Sequence, residues 1–282
     1  MEKQEKEYLL KQCTRIRYLT IDEIAELGVG HAGGSMSMID ALVVLYYKHM
    51  NINPKQPQME GRDRFVLSKA HSGPALYAIL ADKGYFPLED LMTLNKPGTS
   101  LPSHADMVRT VGIDMTAGSL GQGLSCAVGI ALGSKIKKDG ATIYAMIGDG
   151  ESNEGQIWEA AMYAAQRKLN NLICFTDYNK MQLDGPIEDI SGLEPLTDKW
   201  KAFGWNVVKV DGHDVEAIDE AVINAKKSED KPSMIILDTL KGKGVSFLEK
   251  TYLNNHNVTI SAEQRTIALK ELEGGALPCT KQ

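Results

Sequence analysis

The amino-acid sequence predicts an α/β fold, a doubly wound parallel sheet flanked by helices. In its second half, short apolar segments alternate with longer amphipathic segments, as strands and helices do in βαβ units. The predicted strands are apolar along their whole length, which is typical of strands covered on both faces. No internal repeat or flexible linker is visible, so we expect residues 1–282 to form a single domain with a substantial core.

The N-terminal part is predicted to be mostly helical. Apolar residues recur at helical spacing from about residue 5 to residue 27, and the glycine-rich segment 28–34 is expected to end this first helix. A second helix with an apolar stripe is predicted from Ser37 to about His49. It precedes a short buried strand at 64–68 and a third helix at 73–83.

An irregular segment with several prolines then leads to an uncharged stretch between Asp114 and Lys135. Its 20 residues match the length of a membrane span. However, five glycines, Gln122 and several serines make the stretch too polar and too small for a helix that faces lipid. We therefore expect a helix that begins near Leu120 and packs closely against other backbone.

The remaining elements follow the regular alternation that defines the fold. Each predicted strand is a short apolar run, and each predicted helix is long enough for several turns. The strands are predicted at 141–148, 171–177, 206–210 and 234–238, and the helices at 154–169 and 214–227.

Composition excludes several classes of protein. The 31 Lys and Arg residues are outnumbered by 37 Asp and Glu, so the net charge of -6 provides no basic surface for nucleic acid. The four cysteines show no CxxC spacing, which argues against a zinc knuckle or a disulfide framework and is typical of reduced cytosolic thiols. The charged N-terminus does not resemble a signal peptide. We expect a cytoplasmic protein that binds neither nucleic acid nor membrane.

Two polar residues follow neighbouring predicted strands at the edge of the sheet where ligands bind in such folds. Asp149, in the sequence Gly148-Asp149-Gly150, ends the 141–148 strand, and Asn179 follows the 171–177 strand. Because one crossover helix separates them, we expect both side chains in one crevice. An Asp, an Asn amide oxygen and a backbone carbonyl from the next loop would leave room on an octahedral Mg²⁺ for water and phosphate oxygens.

This Gly-Asp-Gly segment, followed one helix and one strand later by Asn, resembles the thiamine diphosphate motif. The run Gly148–Ala160 is similar to the corresponding run of transketolases, and so is Gly118–Leu124. Further similar motifs are Asp63–His71, Phe203–Trp205, Asp211–Asp214 and Lys241–Gly244. They occur in order along nearly the whole chain, which therefore resembles the N-terminal, diphosphate-binding domain of transketolase.

Four of the six histidines support this resemblance. His31, His71, His104 and His256 lie in predicted loops beside Gly, Ala, Ser or Asn, where an imidazole can reach a ligand. A capping or surface role would explain any one of them, but four together favour a functional site. The other two, His49 and His213, are interpreted as structural.

The resemblance implies a role for each site residue. Asp149, Asn179 and the carbonyl of Met181 would hold Mg²⁺, with Ca²⁺ or Mn²⁺ as substitutes. Asn179 would also contact the cofactor. The other residues that would contact thiamine diphosphate are His71, Gly118, Ser119, Leu120, Gly150, Glu154, Lys241 and His256.

The histidines would also act on substrate. His31, His71, His104 and His256 would line the substrate channel, bind sugar hydroxyls and move protons. Glu154 would lie near a contact between subunits, although an acidic residue in the first turn of a helix is also ordinary.

The chain departs from the family pattern at three positions. Ala32 follows the first histidine where proline is common, Asn257 follows His256 where glycine is common, and Met181 replaces an aliphatic residue. The change at 257 weakens the assignment of His256, whereas only the main-chain carbonyl of residue 181 is needed.

The resemblance also implies a missing part. The glutamate that activates the thiazolium carbon, the aromatic pocket for the pyrimidine and the basic residues that hold a sugar phosphate belong to a second domain of the family. The segment Gly274–Pro278 stands about where the linker to that domain would begin. We expect a split enzyme, a heterotetramer in which two copies of this chain join two copies of a separately encoded C-terminal subunit.

The expected activity is transfer of a two-carbon ketol unit from a ketose, generally a phosphate, to an aldose. The pentose phosphate pathway is the default role, with a specialised sugar degradation as the alternative. A deoxyxylulose phosphate synthase-like or 2-oxoacid dehydrogenase-like thiamine enzyme shares part of the motif. A non-catalytic subunit that senses the cofactor is a third alternative.

Overall fold

A computed structural model describes residues 1–183, 185–251 and 255–273. Its strands are β1 (Val29–Gly30), β2 (Arg64–Leu67), β3 (Ile143–Gly148), β4 (Leu172–Tyr178), β5 (Met181–Gln182), β6 (Gly185–Pro186), β7 (Asn206–Asp211), β8 (Ser233–Asp238) and β9 (Val258–Thr259). Its α-helices are α1 (Lys3–Leu27), α2 (Ala32–Ser37), α3 (Ile39–Val44), α4 (Gly73–Lys83), α5 (Gln122–Lys137), α6 (Gly155–Gln166), α7 (Ile187–Ser191), α8 (Leu196–Ala202), α9 (Val215–Lys226), α10 (Ser246–Lys250) and α11 (Ala262–Glu271).

The central sheet has five parallel strands in the order β2-β3-β4-β8-β7. Strands β3 and β4 are direct neighbours, and their register places Gly148 opposite Asp177. The loops that follow both strands therefore leave the sheet at the same edge. Two small antiparallel pairs, β1 with β9 and β5 with β6, lie outside this sheet.

Alternate residues of the central strands feed two separate cores. Tyr144 and Met146 of β3 pack in a core with α1, α3, α4 and α9, whereas Ala145 and Ile147 pack in a second core with α5, α6 and α8. This division explains why β3, β4 and β8 are apolar along most of their length, whereas β7, at the edge of the sheet, is largely exposed. The predicted doubly wound α/β fold is confirmed.

The glycine-rich segment after α1 differs from the prediction. Gly28 caps α1 in the left-handed conformation, with φ 85°, as expected for a helix end. Gly33 and Gly34, however, lie inside α2 rather than in a loop. A Cβ at Gly33 would collide with the carbonyl oxygen of Asn255, so the glycine permits close packing rather than ending a helix.

The uncharged stretch forms α5, as predicted, although the helix begins at Gln122. A Cβ at Gly123 would lie 2.6 Å from the Cα of Ser68, which shows how closely the helix approaches the end of β2. Over the described parts of the chain, every helix is too short or too polar to cross a membrane. The predicted linker start at Gly274–Pro278 and Cys279 lie outside the described residues.

Candidate active site

A cavity opens at the edge of the sheet where β3 and β4 end. Eight residues predicted from the sequence line it: His71, Leu120, Asp149, Gly150, Asn179, Met181, Lys241 and His256. The expectation that Asp149 and Asn179 share one crevice is therefore met by the geometry. Another five predicted residues, His31, His104, Gly118, Ser119 and Glu154, are not in the wall of this cavity.

Asp149 is buried at the end of β3, and backbone N–H groups hold its carboxylate in place. Its Oδ1 accepts a hydrogen bond from Gly150 N at 2.8 Å, and its Oδ2 accepts one from Lys180 N at 2.6 Å. Burial, and next the nearby Asp177 carboxylate, raise the pKa of Asp149 to about 7. A cation that binds the oxygens of such a buried carboxylate stabilises its ionised form.

The donor set suits a hard cation together with phosphate oxygens. Asn179 is also buried, and its Oδ1 accepts a hydrogen bond from Met181 N at 3.1 Å. This contact places Asn179 and Met181, two of the three predicted ligands, in one turn. Within the described residues, no group of three His, Cys, Asp or Glu side chains could hold a metal. One carboxylate, one amide and one carbonyl suit Mg²⁺ when a ligand's phosphates complete the coordination.

The backbone beside Asp149 leaves little room for side chains. A Cβ at Gly150 would lie 3.0 Å from the Cγ of Gln182, which also lines the cavity. Glycine at this position lets main-chain atoms face the cavity directly, which suits close approach to a diphosphate. Lys241 brings a buried ammonium to the cavity wall, where its Nζ donates to the carbonyl of Leu183 at 2.9 Å.

Four histidines meet beside this cavity, although they come from distant parts of the sequence. The ring centroid of His31 lies 5.3 Å from that of His71, 5.2 Å from that of His256 and 6.2 Å from that of His104. The rings of His71 and His256 are 5.0 Å apart. The structure thus gathers all four histidines singled out in the sequence, and their catalytic roles stay predictions.

The surroundings keep two of these imidazoles neutral. Burial, and next the Lys69 ammonium, lower the pKa of His71 to about 2. Burial, and next His104 and Lys241, lower the pKa of His31. A neutral imidazole has one nitrogen that accepts and one that donates, so it can bind and relay hydroxyl protons at neutral pH.

The two-stranded pair β1 and β9 aligns two of the histidine loops. His31 directly follows β1, one residue separates His256 from the start of β9, and the register pairs Gly30 with Val258. Gly33 N also donates to the carbonyl of Asn255 at 3.0 Å. These contacts connect the N-terminal and C-terminal parts of the chain at the site.

The predicted cofactor loop lies at the mouth of the cavity. Gly118 and Ser119 are exposed, as is Leu120, and a Cβ at Gly118 would lie 3.6 Å from the His104 ring. Glu154 is exposed at the N-cap of α6, where its side chain packs against Gly121 of the same loop. Its predicted proximity to a contact between subunits stays a prediction.

Sequence reasoning missed the buried charges that support the site. Glu151 accepts hydrogen bonds from Ser68 Oγ, from Gly121 N at 2.8 Å and from Gly148 N at 3.0 Å. It thereby connects the end of β2, the cofactor loop and the end of β3. Burial raises the pKa of Glu151, and these donors partly offset that effect.

The second missed element is a buried ion pair between Lys69 and Asp177. Burial opposes ionisation of Asp177, but the Lys69 charge and several hydrogen bonds outweigh it, and the pKa of Asp177 lies below its usual value. One signal was available, because Asp177 stands at the end of an otherwise apolar predicted strand. Lys69 lies inside the motif Asp63–His71, but the sequence pattern predicts no separate role for it.

A family comparison agrees with this geometry. The model of the family described as "Transketolase, thiamine diphosphate binding domain" matches residues 10–273. The chain belongs to the transketolase family. The transketolase prediction is thereby confirmed at the level of family and cofactor-binding domain.

Curated relatives include separate transketolase subunits. The chain is 58% identical over 265 residues to the 6-deoxy-6-sulfo-D-fructose transketolase subunit SqwG of a Clostridium species, covering 94% of this chain and 96% of that one. It is 38% identical over 266 residues to an apulose-4-phosphate transketolase subunit of Phocaeicola vulgatus, covering 94% of each. This member of the transketolase family thus matches these subunits over nearly their whole length.

Solved transketolases share the fold but are longer. The transketolase of Campylobacter jejuni superposes with a TM-score of 0.87 at 32% identity, covering 97% of this chain and 43% of that one. The transketolase of Leishmania mexicana superposes with a TM-score of 0.86 at 31% identity, covering 42% of its chain. The chain therefore spans less than half the length of these solved transketolases.

Proposed function

We propose that this chain is the cofactor-binding subunit of a two-chain transketolase that acts on a sulfonated ketose. The observation that carries the proposal is the 58% identity, over nearly both chains, to a subunit named for 6-deoxy-6-sulfo-D-fructose. Identity to the subunit named for apulose 4-phosphate is 38% over a similar length. The sulfonated sugar is therefore the preferred donor in this proposal, ahead of the sugar phosphates expected from the sequence.

The reaction conserves carbon and leaves the sulfonate in place. The bond between C2 and C3 of the ketose breaks, so that C1 and C2 are transferred and C3 becomes the aldehyde of a four-carbon product. That product keeps the sulfonate on its terminal carbon. The two-carbon unit joins the aldehyde carbon of an aldose, giving a ketose two carbons longer.

The residues present fit thiamine diphosphate and a divalent cation. Asp149, Asn179 and the Met181 carbonyl would hold Mg²⁺, and Gly150 and Lys241 would lie against the diphosphate. When bound, the cofactor supplies the electron sink that carbon-carbon cleavage requires. The buried Asp149 carboxylate, held by the backbone amides of Gly150 and Lys180, is the structural feature that supports this assignment.

The histidines would handle the protons of the sugar. His31 and His71 are held neutral by burial and neighbouring charges, so each can accept a hydroxyl proton as the ketose bond breaks. His104 is exposed beside the Gly118 loop, and it would reach the part of the sugar farthest from the diphosphate. The His256 ring lines the cavity and is about equally distant from the rings of His31 and His71, at 5.2 and 5.0 Å.

A separately encoded C-terminal subunit would complete the enzyme. It would supply the activating glutamate, the pyrimidine pocket and the basic residues that hold the sulfonate or phosphate, in an assembly of two copies of each chain. We expect the assembly in the cytoplasm, in a specialised sugar degradation rather than in the pentose phosphate pathway.

Ketol transfer assays test this proposal. The chain is assayed with thiamine diphosphate and Mg²⁺, with and without the partner, using 6-deoxy-6-sulfo-D-fructose or fructose 6-phosphate as donor. We expect no transfer by this chain alone, and a higher kcat/KM for the sulfonated donor in the assembly. Full activity without the partner would refute the two-chain assembly, and equal kcat/KM values would refute the donor assignment.

His104→Ala separates an enzyme subunit from a non-catalytic cofactor sensor. The assembled variant should bind thiamine diphosphate as the wild type does but lose ketol transfer. Retention of full transfer would count against the role proposed for this histidine.

A further inference from the structure

Asp177 is fully buried at the end of β4, and four side chains donate hydrogen bonds to it. Its Oδ1 accepts from Thr239 Oγ1 at 2.5 Å. Its Oδ2 accepts from Ser37 Oγ at 2.6 Å, from Asn179 Nδ2 at 3.1 Å and from Lys69 Nζ. Because an ionised carboxylate accepts and cannot donate, each of these four groups must present a proton to it.

The contact with Asp177 fixes which end of the Asn179 amide faces the cavity. An amide has an oxygen end and an NH₂ end of nearly the same shape, and only the oxygen binds a cation. The NH₂ must face Asp177, since Asp177 only accepts. The oxygen is thereby left on the other side, where it contacts Met181 N at 3.1 Å in the cavity wall.

We propose that Asp177 is a positioning residue of the cation site, which holds the Asn179 amide with its oxygen toward the cation. Asp177 itself contributes no ligand. The inference rests on the proposed function, because it assumes that the cavity takes Mg²⁺ together with a diphosphate.

Two features make Asp177 a suitable anchor. Its partners come from separate elements, since Ser37 ends α2, Thr239 follows β8 and Lys69 follows β2. Lys69 also donates to the Gly34 carbonyl at 2.8 Å, which fixes the ammonium between two acceptors. The paired lysine charge neutralises Asp177, so this carboxylate does not compete with Asp149 for the cation.

Asp177→Leu, which removes every acceptor at this position, tests the inference in the assembled two-chain enzyme. The readout is the Mg²⁺ concentration that gives half-saturation of thiamine diphosphate binding, followed by calorimetry. We expect it to rise about 10- to 100-fold, as when a group that supports a metal ligand is removed. Ser37→Ala is the matched control, because it removes one hydrogen bond to the same oxygen but keeps the carboxylate, and it should change the value less than about threefold.

Asp177→Asn is the conservative comparison, because it removes the charge but keeps an acceptor. Its amide oxygen can take the place of Oδ2 and accept from Lys69 and Asn179, while its NH₂ faces Thr239 Oγ1, whose hydroxyl can accept. We expect Asp177→Asn to keep most of the Mg²⁺ affinity that Asp177→Leu loses, and thermal unfolding of each variant separates a loss of orientation from a loss of fold.

Several outcomes overturn the inference. Half-saturation unchanged in a folded Asp177→Leu assembly does so, and so does a folded Asp177→Asn assembly that binds Mg²⁺ no better than Asp177→Leu. If Asp177→Leu does not fold, a crystal structure of the wild-type assembly with Mn²⁺ and thiamine diphosphate decides the matter. Asn179 Oδ1 on the metal with Nδ2 on Asp177 supports the inference, and any other partner for Nδ2 overturns it. A wild-type assembly that binds no thiamine diphosphate would instead overturn the proposed function.

Discussion

Asp149 and Asp177 end neighbouring strands of one sheet, yet their surroundings differ in charge. Both are buried, but Asp177 is paired with the Lys69 ammonium, whereas the hydrogen bonds to Asp149 come from backbone N–H groups. The pKa of Asp149 is accordingly raised, chiefly by burial, and that of Asp177 is lowered because Lys69 outweighs burial. The fold thus pairs one of the two buried carboxylates with a lysine and surrounds the other with backbone N–H groups.

Lys69→Met should break this comparison most strongly. It removes the cation from Asp177 and leaves a fully buried carboxylate without its ion-pair partner. We expect the free energy of unfolding, measured with urea, to fall by about 3–5 kcal/mol. Lys69→Met combined with Asp177→Asn should lose less, since no unpaired charge remains. A loss below about 1 kcal/mol in the single variant would contradict the role given to this pair.

Asp149→Ala should have the next largest effect, on cofactor retention rather than on stability. The affinity of the variant for thiamine diphosphate in the presence of Mg²⁺ should fall by about 100-fold or more. This loss exceeds the one expected when a residue that only supports a metal ligand is removed. The free energy of unfolding of the variant without metal should not fall, because the substitution removes a buried charge with which no cationic side chain of the described residues forms an ion pair. A chelator added to the wild type should reproduce the binding loss, and unchanged affinity in the assembled variant would refute the metal assignment.

Glu151→Gln extends the comparison to a buried carboxylate that hydrogen bonds alone satisfy. Three donors converge on it, and a glutamine amide must turn its NH₂ toward one of them. We expect a loss of about 2 kcal/mol in unfolding free energy, together with weaker thiamine diphosphate binding as the Gly121 loop shifts. Glu159→Gln, on the exposed side of α6, is the control. Equal stability of the two variants would argue against this role.

Asp40 provides the smallest effect and a test through pH, away from the cavity. Burial alone would raise the pKa of Asp40, but Arg17 and His213 outweigh it and lower the pKa to about 2. Because the folded pKa lies below that of the unfolded chain, near 3.9, the stabilisation is complete well above pH 4 and decreases as the pH falls toward 2. Between pH 5 and pH 3, the stability difference between wild type and Asp40→Asn should shrink by about 1 kcal/mol. Urea unfolding at both pH values measures this difference in stability, and a difference that stays constant would contradict the role given to Asp40.

The sequence predicted the elements whose signals are local. Apolar strands and their spacing gave the sheet, and Asp149 and Asn179 followed because adjacent parallel strands end at the same edge. Gly33 and Gly34 were misjudged as part of a helix end, since the Asn255 backbone that requires glycine at position 33 comes from a distant part of the chain. Local pattern cannot reveal a partner of that kind.

Buried charges were missed for the same reason. Lys69 and Asp177 are 108 residues apart, and no local pattern joins them before the sheet order brings β2 and β4 to either side of β3. The histidines were found because small residues flank them. Only the folded chain shows that the ring centroids of His31, His71 and His256 lie 5.0–5.3 Å from one another. Contacts between residues that are distant in sequence determine the buried ion pair and the clustering of the histidines.

The β1 and β9 pair has a consequence for the order in which the site forms during synthesis. A growing chain contains His31, His71 and His104 long before residues 256–259 leave the ribosome. Until then Gly30 has no Val258 to pair with, and Gly33 N has no Asn255 carbonyl. The fourth histidine therefore joins the other three only after residues 255–259 have been made, and a product shortened before residue 255 would lack the complete histidine set.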